Sequence, residues 1–187
     1  MINTGKTVGL IGSACGGLES IRQELVQPFL AQGWSVAVTL TPTAGTWLEA
    51  SGESRKIQEI TGFPVRVAPR MPGQQSPHPT VDCYALVPAS ANTVAKLALG
   101  IADNQALTTA CEALGGGYVP VVVFPRVNAA HARQPAWNSH ITGLRRAGAD
   151  LIYGDDVWPL HEPRSAPGRQ LPWQTIRERI QAAAQRS

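Results

Sequence analysis

Charge is scarce in this chain: Asp, Glu, Lys and Arg supply only 16% of its 187 residues, against a hydrophobic share of 43%. So few charges are too few to cover a lone monomer, which implies that some surface is buried between subunits. The net charge of +3 is small, and the basic residues are scattered apart from Arg145-Arg146 and the C-terminal stretch. A nucleic-acid partner is therefore not expected. No apolar run is long enough to span a bilayer, and the N-terminus lacks the charged-then-apolar pattern of a signal peptide, so no membrane association is expected. Cysteine is limited to Cys15, Cys83 and Cys111, whose spacings form neither a disulfide framework nor a metal pair. That usage suits a reducing cytoplasm, with no metal. The length fits one domain with a real core.

What is present alternates between two kinds of segment. Thr7–Ile11 is a short apolar run ending at Gly12-Ser13, and a helical pattern follows, with Leu18, Ile21, Leu25 and Leu30 on one face until Gln32-Gly33. Ser35–Leu40 is rich in β-branched residues and runs into Thr41-Pro42-Thr43, where a shorter helix carrying Trp47 and Leu48 begins. Pro64–Val67 reads as a third short strand. Ala68–Pro79, broken by Pro69, Pro72, Pro77 and Pro79, is a loop. Further strands are expected at Tyr84–Val87, Val121–Phe124 and Leu151–Tyr153, with helices after Ser90, over Trp137–Ala147 and over Trp173–Ala184. Strands alternating with helices predict a mainly parallel sheet covered on both faces, a three-layer α/β/α domain, because parallel strands need crossover helices. Ligands of such sheets bind just beyond the carboxyl ends of the strands.

Those strand ends are where the informative residues fall. Gly12-Ser13-Ala14, Thr41-Pro42-Thr43 with Thr46, and Ser90-Ala91-Asn92-Thr93 each put small or hydroxyl-bearing residues ahead of a helix. Small residues let backbone amides approach an anion, and the helix N-terminus adds a favourable dipole. The same residues are also ordinary helix N-caps. The first loop lacks the glycine spacing of a dinucleotide fingerprint, and no acidic residue closes the second strand. No Gly-Lys-Ser/Thr follows either, which excludes a Walker loop.

A longer match narrows the reading. Pro88-Ala89-Ser90-Ala91-Asn92-Thr93, continued by Ala95-Lys96-Leu97-Ala98, Gly100-Ile101-Ala102-Asp103-Asn104 and Leu107-Thr108-Thr109-Ala110-Cys111, resembles the signature of the homo-oligomeric flavin-containing cysteine decarboxylases. The resemblance extends to Asp82 and to Phe124–Asn128, and spans about residues 7–155. It implies a Rossmann or flavodoxin-like fold, FMN at a subunit interface, and a homotrimer or trimer of trimers. By motif, Gly12, Ser13 and Ala14 would contact the flavin. Thr41 and Thr43, with Thr46 close by, would meet its phosphate and ribityl chain, and Ser90, Ala91, Asn92 and Thr93 would close over it. Asn128 would hold the substrate carboxylate. The family oxidises a cysteine side chain to a thioaldehyde, an electron sink that lets carbon dioxide depart.

The chain departs from that family in specific places. Counting back from Pro88 to the position of the family histidine reaches Gln74, and His78 lies nearby between Pro77 and Pro79, where a helix cannot start in the usual way. His78 is either a substitute for the missing histidine or a surface-loop residue, and His131 is a second candidate. The substrate clamp reads Pro125-Arg126-Val127-Asn128-Ala129-Ala130-His131, without the family's methionines. Arg126 can pair with a substrate carboxylate or phosphate, with reduced flavin, or with a surface carboxylate. The resemblance implies, for pantothenate-pathway members, a late-loop cysteine that protonates the enethiol; none follows Cys111, so a decarboxylase of this kind would release an oxidised enethiol. Trp47 and Trp137 are expected in the core or at a subunit interface, and Trp158 and Trp173 in interface packing or a pocket wall.

The expectation is a single domain over 1–187, with its core over 7–155 and a proline-rich loop and helix over 156–187. It would bind FMN through Gly12, Ser13, Ala14, Thr41, Thr43, Thr46, Ser90, Ala91, Asn92, Thr93 and Arg126, with His78 and Asn128 as catalytic residues. Its substrate would be a small molecule or peptide bearing a cysteine-derived thiol. The alternative is a flavin-binding redox or regulatory protein that keeps the cofactor site without the decarboxylation.

Overall fold

The computed structural model describes residues 5–186. Strands β1 (Thr7–Gly12), β2 (Ser35–Leu40), β3 (Cys83–Ala89), β4 (Val121–Pro125) and β5 (Asp150–Leu151) form one sheet of order β2-β1-β3-β4-β5, every neighbour parallel. This is the flavodoxin-like order, in which the winding reverses between β1 and β3. Alternate strand residues face opposite layers. Val8, Leu10, Val36, Val38, Val122 and Phe124 pack on one side, and Ile11, Leu86, Val121 and Val123 on the other.

The first layer holds α1 (Gln27–Ala31), α2 (Pro42–Ala50), α3 (Glu53–Thr61) and α8 (Trp173–Ala184). The second holds α4 (Ala91–Leu99), α5 (Gln105–Gly116) and α7 (Trp137–Arg146), while α6 (Ala129–Ala132) is a single turn beyond β4. The α8 face is part of the main core, with Trp173, Ile176, Ile180, Ala183 and Ala184 buried. The helix expected after β1 exists but is irregular: a 3₁₀ turn at Leu18–Ser20 and a π turn at Arg22–Val26 lead into α1. Pro28 is the physical reason for the π turn, because it has no N–H to give the carbonyl four residues back. That carbonyl, on Glu24, instead accepts a hydrogen bond from Arg177 of α8 at 2.9 Å.

Pro64–Val67 is not a strand. It makes only an isolated parallel bridge, Thr39 to Arg66, through Arg66 N–H to the Val38 carbonyl and Leu40 N–H to the Arg66 carbonyl. Pro64 removes one donor from any longer ladder. Val67 then turns onto α2, where a Cβ on Gly45 would stand 2.7 Å from its methyl group. The segment 62–82 crosses irregularly from there to β3.

Candidate functional site

The carboxyl edge of the sheet carries a cleft in two separate parts, of about 540 and 440 Å³, and the loops after β1, β2 and β3 converge on the larger. The larger part, 540 Å³, is lined by Ala14, Thr41, Thr43, Trp47, by Ser90 through Thr93, by Lys96, Asp103 and Asn104, and by His131. It sits beside the β1/β3 reversal, where a doubly wound sheet opens a crevice. Thr41 precedes α2 without making a side-chain cap, and Pro42 follows at the first helical position. The next amides, of Thr43 and Ala44, belong to the helix start that has no partner within the helix. Ser90 caps α4 by accepting the Thr93 N–H at 3.3 Å, and its hydroxyl lies 3.0 Å from that of Thr93. Two helix N-termini thus face one space, the arrangement that favours an anion.

Gly12 and Ser13 lie beneath this cleft and do not line it. A Cβ on Gly12 would come within 2.8 Å of Leu18 and 2.9 Å of Leu40, so glycine there serves the packing of β1. Ser13 is 1% exposed. Its hydroxyl donates to the Pro88 carbonyl at 2.9 Å and accepts the Ser90 N–H at 2.7 Å, tying the end of β1 to the loop after β3. Thr46 is turned elsewhere: its hydroxyl donates to the Pro42 carbonyl, and it lines a separate cavity with Glu49 and Gln58.

Arg126 and Asn128 line the second part of the cleft, of about 440 Å³, with Gly16, Trp158, Arg169 and Trp173. Asn128 accepts the His131 N–H at 3.0 Å and so caps α6. That short turn separates the two parts, with Asn128 on one side and His131 on the other. Trp158 and Trp173 are buried at the wall of this space, 6% exposed each, and Trp137 is buried against Tyr153. Trp47 is not in the core. Half of its surface is exposed at the mouth of the larger part.

His78 is in neither part. Its Nε2–H donates to the Pro64 carbonyl at 2.8 Å, its ring stands edge-on to Phe63, and it lines a small cavity against Thr39, Arg66 and Tyr84. Burial holds its pKa below the usual histidine value, the Pro64 hydrogen bond opposes that, and the Arg66 charge adds to it. A base whose folded pKa is depressed stabilises the fold above its unfolded value, and the contribution is lost as pH falls below about 6.5. Thermal unfolding of the protein should therefore shift to lower temperature between pH 7 and pH 5 more steeply than that of His78→Gln. Parallel curves would mean His78 titrates alike folded and unfolded.

Cys15 lies between β1 and the second part of the cleft, and burial pushes its thiol up to about 11 against the opposing pull of Ser13 and Arg126. It is a thiol, not a thiolate, at neutral pH. Lys96 pairs with Asp103, and Asn104 donates to the same carboxylate while capping α5 through Leu107 N–H. These residues belong to the long motif around Pro88, and their place in the cleft wall was not assigned from sequence.

The flavoprotein family profile matches residues 10–185. The chain belongs to this family. Among curated relatives, the bifunctional coenzyme A biosynthesis protein CoaBC of Escherichia coli K12 is 28% identical over 168 residues, which are 86% of this chain and 39% of that protein. The chain thus spans well under half the length of that relative. Among solved structures, the FMN-dependent cysteine decarboxylase SpaF superposes with a TM-score of 0.68 at 22% identity, over 98% of this chain and 99% of SpaF. The peptidyl-cysteine decarboxylase EpiD gives a TM-score of 0.65 at 18% identity, over 95% and 99%. At those identities the superpositions establish a shared fold, in agreement with the flavodoxin-like strand order. No helix among the described residues is long and apolar enough to cross a membrane.

Proposed function

We propose that this flavoprotein is an FMN-dependent decarboxylase of a cysteine-bearing substrate, either a peptide ending in cysteine or a phosphopantothenoylcysteine-like thiol. The observation that carries the proposal is the convergence of the β1, β2 and β3 loops on one cleft beside the β1/β3 reversal, in a chain of the flavoprotein family. The residues present fit the cofactor. The larger part of the cleft is in the volume range of small-molecule sites. The open amides at the start of α2, with Thr41 and Thr43, would hold the phosphate, and Ala14 and Ala91 are small enough to admit a ring system. Ser90, Asn92 and Thr93 would close the site from the α4 side. The chemistry a bound flavin supplies is acceptance of hydride from the thiol-bearing carbon, which makes loss of the neighbouring carboxylate possible.

The chain's own residues would bind and orient the substrate. Asn128 keeps its amide NH₂ without a hydrogen bond among the described residues while its carbonyl is fixed on α6, a geometry suited to receiving a carboxylate. His131 stands in the wall of the larger part and is the better placed of the two candidate histidines within one copy of the chain. SpaF and EpiD, named for FMN-dependent cysteine and peptidyl-cysteine decarboxylation, support the peptide substrate, and CoaBC supports the coenzyme A precursor. We place the working protein in the cytoplasm as a homotrimer or larger assembly, in keeping with its low charge and with Leu99, Met71 and Tyr118, each more than 60% exposed.

The test begins with the visible spectrum of purified protein and the mass of its heat-released cofactor. Incubation with cysteine-terminated peptides and with N-acylcysteines follows, with product masses recorded. Loss of carbon dioxide and two hydrogens supports the proposal. A colourless protein that FMN cannot reconstitute overturns it. A yellow protein inert toward all these thiols favours the second reading, a flavin-binding redox or regulatory protein. Gln74 at the position of the family histidine speaks for that alternative.

A further inference from the structure

The second part of the cleft has a chemistry of its own. Arg126, Arg164 and Arg169 line it, and none of them makes an ion pair among the described residues. The carboxylates at its rim are otherwise engaged: Glu162 is held by both Arg133 nitrogens, at 2.6 and 2.9 Å, and Glu19 accepts the Gly17 N–H. Arg126 has its backbone N–H on the Ala89 carbonyl, but its side-chain Nε is buried without a hydrogen-bond partner among the described residues. Burying such a donor unpaired is costly unless a ligand pairs it. Its guanidinium lies near Gly16 and 5.7 Å from the centre of the Trp158 ring.

Arg169 reaches the same ring from the loop before α8, its guanidinium 3.4 Å from the ring centre, and donates to the Pro159 carbonyl. Two guanidinium groups are thus held on one indole by packing, not by carboxylates. They are close enough that Arg126 helps lower the Arg169 pKa, second to burial. Like charges gathered beside a cavity, one with a buried unpaired donor and neither in an ion pair among the described residues, await an anion.

We infer that this cavity is an anion site in which Arg126 and Arg169 together hold a carboxylate or phosphate on the part of the substrate remote from the reacting cysteine. The inference rests on the decarboxylase reading only for the word substrate; the anion site itself stands on the two arginines. A phosphate monoester and a peptide carboxylate share the recognition chemistry, a pair of adjacent anionic oxygens for a guanidinium fork.

The experiment is calorimetric titration of the purified full-length protein, at low ionic strength, with inorganic phosphate and separately with N-acetylglycine. Saturable binding of either anion is expected. Phosphate preference would mark a phosphorylated substrate, and N-acetylglycine preference a peptide carboxylate. Arg126→Gln and Arg169→Gln should each weaken that binding about ten- to a hundredfold, the usual weight of a charge-assisted hydrogen bond. Arg55→Gln, on the far exposed face of α3, should leave it unchanged. If Arg126→Gln does not fold, Arg169→Gln alone decides, since residue 169 lies in a loop outside the sheet. Binding of neither anion, or binding indifferent to Arg169→Gln, overturns the inference. Flavin content read from the same samples separates the two proposals. Anion binding by a colourless protein that FMN cannot reconstitute sinks the flavin reading alone, and a yellow protein that binds no anion sinks this one alone.

Discussion

Phe124→Ala should lower the stability of the fold by about 3–5 kcal/mol, the usual cost of emptying a large aromatic site. Phe124 is fully buried in β4 and belongs to the core cluster that joins the sheet to α8. Its ring also meets Trp158 edge-on, with centres 5.9 Å apart at 75°. One side chain therefore supports both the sheet and the indole on which Arg126 and Arg169 rest. A domain has only about 5–15 kcal/mol of stability to lose. At roughly 2–4 °C per kcal/mol for a chain of this size, the thermal midpoint should fall by about 6–20 °C. Phe124→Leu keeps most of the volume and should lose less than half as much. Circular dichroism melts of the three proteins decide the matter. A loss near 1 kcal/mol for the alanine variant would show that the segment carrying Trp158 closes over the vacated space, and that Phe124 does not anchor it.

Much of the fold follows from local pattern. β1, β2, β3 and β4 announce themselves as short apolar runs closed by Gly, Thr-Pro or Pro, and each is found within a few residues of its expected place. Pro64–Val67 misleads because its Val-Arg-Val alternation is that of a strand while Pro64 denies it a full ladder. The helix α3 went unseen: between Glu53 and Thr61 the only large apolar side chain that reaches the core is Ile57, and Ile60 stays 41% exposed. Beside the buried Ile57, α3 is tied by an ion pair, Arg22 to Glu53, with Lys56 on the same carboxylate. Pairing of that kind leaves no periodic mark in sequence.

The candidate site was legible as a set of loops but not as a shape. Ala14, Thr41, Thr43 and Ser90 through Thr93, singled out by their places after strands, line one cavity. Side-chain direction was not readable. Thr46 stands three residues beyond Thr43, yet its hydroxyl turns back on Pro42 and its side chain enters another cavity. Arg126 and His131 flank Asn128 in sequence, and the α6 turn sends them to opposite parts of the cleft. Arg169, distant in sequence from all of these, could not be joined to Arg126 without the indole between them.

Ser13→Ala should cost about 1–3 kcal/mol, because it leaves the Ser90 N–H without its acceptor. The Pro88 carbonyl loses one donor but keeps the Ser13 N–H at 3.1 Å. The damage is therefore one-sided and centred on the entry to α4. Ser90→Ala makes the comparison, since it removes the α4 cap, worth about 1 kcal/mol, and leaves the backbone tie to Ser13 in place. If the Ser13 hydroxyl is fully spent on the β1–β3 tie, Ser13→Ala lowers the melting temperature at least as far as Ser90→Ala. Flavin content would then fall only as the Ser90–Thr93 loop loosens, and saturating FMN would restore it. The family resemblance implies instead that Ser13 touches the cofactor. In that case flavin affinity falls while the melting temperature of the cofactor-free protein holds. The buried position of Ser13, with its hydroxyl both donating and accepting within the protein, favours the first result: the residue shapes the cofactor cleft from below by fixing the loop that forms its wall.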